Sequence, residues 1–356
     1  SSATAAADGA DGAVASGPQL ARCVAAAEGA ARARSSRGGA AFHDSADFVW
    51  EERRETAIVE LEEIRRKRDA LQENGGGAST TTSAAAQVAR WETHFEKHAD
   101  APTMFFKERR SLLQEFPLLA TGALRVLEIG CGTGSSVLPL LRGNPDASVH
   151  ASDPSAAAVA QMRRQVDAAG FGGRLTSEVQ ADASGSPCAA VAPASFDVAM
   201  AVYTLSAVPG ADGDGALLAA TAAAVRPGGA VIVRDYGMYD MRHLSDAKSS
   251  QRVAGGRDAG SEFLRVGGMY RRYYSLDGLA ALAARAGLAV EESRYLCVRL
   301  RNERRKLTMD RVYVHAVLRK PAGAGTPPQT ARPNPDLCDG NVLRCVPAWC
   351  AMLAGR

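Results

Sequence analysis

The residues best suited to chemistry lie in a glycine-rich segment that begins at Glu128 and follows a run of apolar residues. Gly130, Gly132 and Gly134 let the backbone turn tightly and approach a ligand closely, and the start of the next helix offers free N–H groups. A dinucleotide-binding loop of the G-x-G-x-x-G type needs a glycine where this chain has Ser135. The E-x-G-x-G-x-G spacing therefore predicts a ligand-binding loop of another kind.

Two aspartates extend this pattern. Asp153 ends the second predicted strand, 23 residues after Gly130, where a carboxylate can accept hydrogen bonds from both ribose hydroxyls of an adenosine. Asp182 follows the third predicted strand. Either aspartate alone is more often the cap of a helix or loop, but the glycine loop and both acids together predict an adenosine-binding site.

The elements that must position these residues begin near residue 123. Short apolar segments alternate with helical ones, which is typical of a parallel sheet with helices on both faces. A helix at about 276–286 and two long strands then predict an antiparallel hairpin at one edge of the sheet. The predicted strands are 124–129, 148–152, 175–179, 196–202, 230–234, 289–299 and 307–319, and the earlier helices are near 135–142, 154–168 and 213–225.

Outside this core, the chain is less regular. Residues 1–45 are rich in Ala, Gly and Ser and are predicted to be disordered. Residues 46–86 are predicted to form a charged helix with a narrow apolar stripe that rests on the body, followed by a Gly/Ser/Thr linker. A single catalytic domain is predicted over 87–320, and residues 321–356 are predicted to be a loose tail.

Composition excludes several classes of protein. The 356 residues carry a net charge of only +3, and no run is long and apolar enough to cross a bilayer. The seven cysteines are odd in number and form no C-x-x-C pair, which favours reduced thiols in an intracellular protein. We therefore expect no metal site, no membrane association and a cytoplasmic location, while a nuclear or organellar location is left open.

The small net charge is a cancellation between two parts of the chain. Residues 111–233 hold 6 basic and 10 acidic side chains, whereas residues 234–320 hold 18 basic and 10 acidic ones. Clusters of arginine with interleaved aromatic residues suit contacts with RNA phosphates and bases. The distal half of the domain is therefore the part in which we expect RNA binding.

Five ordered motifs carry a family resemblance. Together with the glycine loop, which resembles motif I of class I S-adenosylmethionine-dependent methyltransferases, they look like the eukaryotic methyltransferase-like enzymes that form 3-methylcytidine in the anticodon loop of tRNA. The resemblance covers about residues 88–320. The motifs are Trp91-Glu92-Thr93-His94-Phe95, Phe105-Phe106-Lys107-Glu108-Arg109, Thr204-Leu205-Ser206-Ala207-Val208, Arg234-Asp235-Tyr236-Gly237-Met238-Tyr239-Asp240 and Leu307-Thr308-Met309-Asp310-Arg311-Val312-Tyr313.

The resemblance implies a Rossmann-like class I methyltransferase fold, with a mostly parallel seven-stranded sheet and an antiparallel edge hairpin. It implies S-adenosyl-L-methionine as the cofactor. Trp91 and Phe95 match an aromatic pair that packs on the cofactor, and Val202 matches an apolar contact beside the adenine. The other implied cofactor contacts are Glu128, Gly130, Gly132, Gly134, Asp153 and Asp182.

The resemblance also implies a mechanism and a partner. Cytosine N3 carries a lone pair and needs no deprotonation, so the enzyme's main task is to place it in line with the methyl group. Because the product base is cationic, a nearby carboxylate would stabilise it, and Asp235 is the candidate, with Tyr236 and Tyr203 as pocket walls. The partner is the anticodon stem-loop of tRNA, and an aminoacyl-tRNA synthetase is a candidate specificity factor. The expected RNA contacts are Lys107, Arg109, Arg271, Arg272, Arg304 and Arg305.

Three departures from the family pattern concern the target side. The chain has Arg110-Ser111 where His-Trp is usual, Gly267-Gly268-Met269 where Asp-Gly-Thr is frequent, and Pro209 where His is usual. Two other functions therefore stay open: a methyltransferase that acts on a small molecule or protein, and a non-catalytic module that binds tRNA or another partner.

Overall fold

The computed structural model describes residues 47–72, 81–98, 107–180, 192–210, 212–253, 261–302 and 306–322. All of them belong to one of the two units into which the chain divides, residues 43–356. Several predictions lie outside the described residues. They are those for residues 1–45, the Gly/Ser linker, Phe105, Phe106, Asp182, Arg304, Arg305 and nearly all of the tail.

A seven-stranded sheet forms the centre, in the order β3-β2-β1-β4-β5-β10-β9. β1 to β5 are parallel, and β10 pairs antiparallel with both β5 and β9, as predicted from the sequence. The strands are β1 (Arg125–Ile129), β2 (Ser148–Asp153), β3 (Leu175–Val179), β4 (Phe196–Val202), β5 (Val225–Tyr236), β9 (Ala289–Asn302) and β10 (Leu307–Arg319).

Helices cover both faces of this sheet because its inner strands are apolar on both sides. Val126, Met200 and Ile232 face one hydrophobic cluster, while Leu127, Ala201 and Val233 face the other. The helices are α1 (Trp50–Gln72), α2 (Ala84–Glu96), α3 (Leu112–Glu115), α4 (Val137–Gly143), α5 (Ala156–Ala168), α6 (Gly213–Ala224), α7 (Met241–Ser249) and α8 (Leu276–Arg285).

The strand order reverses at β1. The chain passes from β1 to β2 on one side of it and returns to β4 on the other, so the loops after β1 and β4 diverge. A crevice opens at such a switch point, outside the carboxyl ends of the strands, and ligands of open α/β sheets bind there. The glycine loop follows β1 and therefore lies at this crevice.

A small three-stranded sheet and helix α7 have no counterpart in the sequence prediction. The sheet pairs β6 (Gln251–Arg252), β7 (Glu262–Leu264) and β8 (Tyr270–Arg272) antiparallel. Strands of two or three residues are too short to show the alternating pattern by which strands are recognised. This sheet follows α7, and its strand β8 lines the crevice with Tyr270 and Arg271.

Helix α1 contains the predicted apolar stripe and packs it against α7. Ala57 is fully buried, and Leu61 and Ile64 contact the cluster formed by Ala247, Phe263 and Tyr273. At its N-terminus, the Trp50 ring stacks on Tyr295 with ring centroids 4.4 Å apart. This charged helix is thus a docked part of the domain.

Within the described residues, no helix is long and apolar enough to cross a bilayer. The same residues contain no group of three or more His, Cys, Asp or Glu side chains that could hold a metal ion. Of the cysteines, Cys131 and Cys297 are described; both are free and buried.

Candidate active site

A cavity of about 540 Å³ opens where β1, β4 and β5 end. Its volume falls within the range of small-molecule sites. One half is formed by the glycine loop and α2, and the other by the segments after β4 and β5 together with β8 and β10. We call these the loop half and the arginine half.

The glycine loop is held against the end of β4. Thr204 Oγ1 donates a hydrogen bond to the Ile129 carbonyl at 2.9 Å. Gly130 has φ +64°, and a Cβ at this position would lie 2.5 Å from the Thr204 side chain. Only glycine allows this approach, so Gly130 sets the distance between the two loops that form the crevice.

Gly132 and Gly134 have different roles. Gly132, at φ +51°, lines the cavity beside the Phe95 ring. Gly134, at φ +88°, is absent from the cavity wall, and a Cβ there would lie 2.8 Å from Met162 Cγ in α5. The structure therefore gives Gly134 a packing role between the loop and α5, and does not place it as the expected cofactor contact.

Asp153 faces the loop half and is anchored by the backbone. Its two carboxylate oxygens accept N–H bonds from Gly132 and Ser155, each at 2.9 Å. Burial raises the pKa of Asp153 to about 6. Each oxygen has a second lone pair, so the carboxylate can still accept hydrogen bonds from a ligand.

Glu128 is the most perturbed carboxyl group of the cavity. It is 2% exposed, and within the described part of the chain its Oε2 atom has no hydrogen-bond partner. Burial raises its pKa to about 8, although a hydrogen bond from Ser136 and the charge of Arg109 oppose the shift. A buried carboxyl oxygen that faces a cavity without a partner suits a cationic ligand group.

The remaining wall of the loop half is apolar. Trp91 and Phe95 lie on one face of α2 with their rings stacked at a centroid distance of 5.7 Å. Both line the cavity, as does Val202 at the end of β4. This surface can cover a flat heterocycle, and the sequence placed all three residues there.

Four tyrosines line the arginine half, and three of them form a cluster of rings: Tyr203, Tyr236 and Tyr313. The fourth is Tyr270 of β8. The Tyr203 ring centroid lies 5.1 Å from that of Tyr236 and 5.6 Å from that of Tyr313. Tyr203 has φ +58°, an unusual conformation for a residue with a side chain, and its N–H donates to the Arg234 carbonyl at 2.7 Å. Burial raises the pKa values of Tyr236 and Tyr313, so their phenols stay neutral.

An arginine lies against the ring of each tyrosine in this cluster of three. The guanidinium carbon of Arg109 is 4.3 Å from the Tyr203 centroid, that of Arg271 is 4.5 Å from Tyr236, and that of Arg311 is 5.0 Å from Tyr313. All three arginines line the cavity. Stacked guanidinium groups keep their N–H edges available for an anion.

Two aspartates of α7 orient two of these arginines. Asp240, the N-cap, accepts from Arg311 Nε and from the Val312 N–H, both at 2.8 Å. Asp246 is shared by Arg271 at 3.3 Å and Arg265 at 3.4 Å. Among the described residues, no carboxylate forms an ion pair with Arg109, so the arginine half holds more positive than negative charge.

The predicted catalytic residue Asp235 is not brought to the cavity. It is fully buried on the opposite face of β5 from Tyr236, and its oxygens accept backbone N–H bonds from Ser206 at 3.0 Å and Tyr236 at 2.8 Å. Burial raises its pKa to about 6. In this structure Asp235 holds the segment after β4 against the end of β5 and does not face a ligand.

The prediction that Arg272 contacts RNA also conflicts with the structure. The residue is 3% exposed, with one guanidinium nitrogen on Asp214 and the other 2.7 Å from Glu262. Tyr274 and Tyr270 donate to the same two carboxylates. Arg272 is therefore the centre of a buried network, whereas the neighbouring Arg271 points into the cavity. Lys107 is exposed and does not line the cavity.

Sequence reasoning missed Arg311, Tyr313, Asp240 and Asp246. Arg311 and Tyr313 are two residues apart on β10 and share the face that meets the cavity. The alternation of β-strand side chains could have paired them. Asp240 ends the motif that follows the fifth predicted strand, which could have marked it. No comparable signal exists for Asp246, because α7 is short and polar.

Parts of the chain are similar in sequence to known methyltransferases. A family described as "Methyltransferase domain" matches residues 126–229. The tRNA N(3)-methylcytidine methyltransferase Mettl2 of Drosophila melanogaster is 30% identical over 244 residues, which are 65% of this chain and 70% of that protein. The chain belongs to the METTL2-type methyltransferase family. Its fold and its cofactor, S-adenosylmethionine, are those of class I methyltransferases.

Other relatives are similar over shorter shares of their length. METTL2 of Bos taurus is 31% identical over 218 residues, 60% of this chain and 54% of that protein. O-methyltransferase 3 of Dictyostelium discoideum is 30% identical over 216 residues, 59% of this chain and 46% of that protein. The chain thus spans about half the length of several curated relatives that it matches, so its substrate and partners are matters for the proposal below.

The residues of the loop half fit S-adenosylmethionine. The orphan oxygen of Glu128 matches the cationic amino group of the cofactor's amino-acid part. Asp153 retains acceptor capacity for the ribose, and Trp91, Phe95 and Val202 supply apolar cover for the adenine. The arginine half has no role in this fit and is left for the substrate.

The raised pKa of Glu128 predicts a proton linkage. Near pH 7 the free protein should hold Glu128 largely protonated, since its pKa is about 8, while Asp153, with a pKa of about 6, is largely ionised. Binding a cationic amino group favours the carboxylate, so cofactor binding should release most of one proton. Calorimetry in buffers of different ionisation enthalpy measures this number.

Glu128→Gln should abolish the proton release and weaken binding. Glu108→Gln is the matched control, because Glu108 pairs with Arg142 away from the cavity. Equal proton release by the wild type and Glu128→Gln would show that Glu128 does not meet the cofactor's charge.

The buried network predicts that Arg272→Ala destabilises the fold. Removing the guanidinium breaks two buried ion pairs, with Asp214 and Glu262, and breaking a buried pair by removing one partner typically costs about 3–5 kcal/mol. Arg285→Ala, at a half-exposed pair with Asp212, should cost less than about 1 kcal/mol. Urea unfolding of both variants measures the difference. A stable Arg272→Ala variant with reduced RNA affinity would instead support the prediction that Arg272 contacts RNA.

Proposed function

We propose that this protein methylates N3 of a cytidine in the anticodon loop of tRNA. The observation that carries the proposal is the arginine half of the cavity, which lies next to the loop half. In it, three tyrosine rings each stack with an arginine side chain: Tyr203 with Arg109, Tyr236 with Arg271, and Tyr313 with Arg311. The relatives named as tRNA N(3)-cytidine methyltransferases support the same substrate.

The excess charge of this half favours a nucleotide over a neutral small molecule. Arg271 and Arg265 share a single carboxylate, and Arg109 has no carboxylate in an ion pair among the described residues. Burying guanidinium groups without counter-charge is costly, and a phosphate of the substrate can supply that charge with bidentate geometry. Stacking of a base on tyrosine suits a nucleotide that has left its helix.

In this proposal, each half of the cavity has its own task. The cofactor, when bound, supplies a methyl group on a cationic sulfur. Glu128 holds the amino group, Asp153 holds the ribose, and Trp91, Phe95 and Val202 cover the adenine. The glycine loop and the Thr204 hydrogen bond then fix the distance between the cofactor and the tyrosine wall.

The chemistry asks little of acid–base groups. Cytosine N3 is already a nucleophile, so no side chain must remove a proton before it attacks, and the neutral phenols of Tyr236 and Tyr313 fit that requirement. As N3 takes the methyl group, the base becomes cationic. Tyrosine ring faces and the substrate's own phosphates stabilise that charge. The sequence had predicted this role for Asp235.

Two positions that depart from the family pattern lie in the cavity wall. Pro209 and Met269 both contact the space beside the arginine half. Each presents a compact apolar surface where a polar group is usual in the resembling enzymes. We propose that they adjust which loop sequence fits, while the methyl-transfer site itself is kept.

The proposal predicts the product of a labelling experiment. Purified protein, S-adenosylmethionine with a labelled methyl group and unfractionated tRNA should give label in 3-methylcytidine after digestion to nucleosides. Asp153→Ala should give none, because the variant lacks the ribose acceptor. Liquid chromatography with mass spectrometry identifies the nucleoside.

Label in any other nucleoside would show that the target base is not the N3 position of cytidine. Label only in small molecules or protein would favour an activity of the kind named for O-methyltransferase 3, the relative from Dictyostelium discoideum. Binding of tRNA without any transfer would favour a non-catalytic role.

A further inference from the structure

A second cavity, of about 220 Å³, lies between α1 and the unit formed by α7, β6 and β7. Its floor is apolar and includes Leu61, Ile64 and Phe263. Its rim carries three arginines: Arg65 and Arg68 from α1, and Arg252 from β6. We call this space the α1 cleft, and the methyl-transfer site does not use it.

Arg68 is poorly satisfied in this cleft. Its Nη2 atom donates to the Ser250 carbonyl, but its Nη1 atom is buried and has no hydrogen-bond partner within the described residues. Burial and the nearby charge of Arg252 both lower the pKa of Arg68. Two guanidinium groups therefore repel each other across a partly buried space.

The acidic residues nearby do not cancel this charge. Glu62 is the single carboxylate that lines the cleft in the described structure, and it is exposed to solvent. Asp69 lies 3.8 Å from Arg65 in a solvent-exposed pair, and it does not line the cleft. A guanidinium cannot relieve the repulsion by losing its proton, so the missing component is an anion.

Several contacts hold α1 in place, so the cleft is a fixed part of the fold. Lys248 of α7 forms an ion pair with Glu60 at 2.6 Å, and Arg53 Nε donates to the Tyr239 carbonyl at 3.2 Å. With the Trp50–Tyr295 stack, these contacts lie along one side of the helix. They hold α1, which carries Arg68, against the unit that carries Arg252.

We propose that the α1 cleft is a second RNA-binding site, in which Arg68 and Arg252 bind one backbone phosphate of the tRNA. Planar guanidinium groups suit the oxygens of a phosphate, and the apolar floor suits the sugar or base beside it. The proposal rests on the proposed function, since it takes the tRNA substrate as its ligand. It adds a contact outside the cavity in which the target base is modified.

The test is the salt dependence of tRNA binding. Arg252→Ala is the informative variant, because Arg252 is exposed and its side chain makes no hydrogen bond in the described structure. Losing one phosphate contact should weaken binding at low salt by roughly threefold to tenfold and reduce the slope of log Kd against log[KCl] by about 0.7–0.9. Cofactor affinity should not change.

Two controls accompany it. Arg66→Ala removes an exposed arginine of α1 that does not line the cleft, and its slope should equal that of the wild type. Arg252→Lys keeps the charge and should recover most of the slope. Equal slopes for the wild type, Arg252→Ala and Arg66→Ala would overturn the proposal.

Methylation measured on the same samples separates the two hypotheses. If the wild type methylates tRNA cytidine but Arg252→Ala keeps the wild-type slope, the second site is wrong and the proposed function stands. If tRNA binds with the expected slope change but receives no methyl group, the second site stands and the proposed function is wrong. If tRNA does not bind at all, both are wrong.

Discussion

The arginine half of the cavity depends on the ion pairs between the aspartates of α7 and two of its arginines. Asp240 and Asp246 hold Arg311 and Arg271 against tyrosine faces, so the arginines are fixed before any ligand arrives. Asp240 is fully buried and also caps α7 and binds the backbone of β10. A single carboxylate thus ties the helix, the edge hairpin and the cavity wall together. Because α1 packs on α7, the charged N-terminal helix supports this arrangement from outside.

The two halves of the cavity solve different electrostatic problems. In the loop half, Glu128 and Asp153 are buried acids, and burial raises the pKa of both carboxyl groups. In the arginine half, guanidinium groups outnumber their carboxylate partners. A cationic cofactor favours the ionised form of the two acids, and an anion complements the excess of guanidinium groups. The position of Thr204 against Gly130 fixes how far apart the two ligands are held.

Much of this could be predicted from the sequence, and the failures have a common cause. Buried parallel strands are apolar runs, so β1 to β4 were predicted within a residue or two, and β5 was predicted only in its apolar part. Asp235 was predicted as a site residue because it lies at the carboxyl end of β5, and Arg272 because it belongs to a dense basic cluster, yet the residues that line the cavity are their neighbours Tyr236 and Arg271. Successive strand side chains point to opposite faces, and Asp235 and Arg272 point away from the cavity. Helix α7 was missed because its polar residues are buried only through tertiary pairs, which a local pattern cannot show.

We propose that the arginine half selects its substrate by phosphate charge as well as by base. The most direct test compares two ligands in equilibrium binding to the protein loaded with S-adenosylhomocysteine. One ligand is a short single-stranded RNA that contains cytidine, and the other is free cytidine. Charge-assisted hydrogen bonds contribute about 1.5–3 kcal/mol each, so the RNA should bind more tightly by a factor on the order of a hundred. Its affinity should fall steeply with salt. Equal affinity for cytidine and the RNA, without salt dependence, would contradict the account.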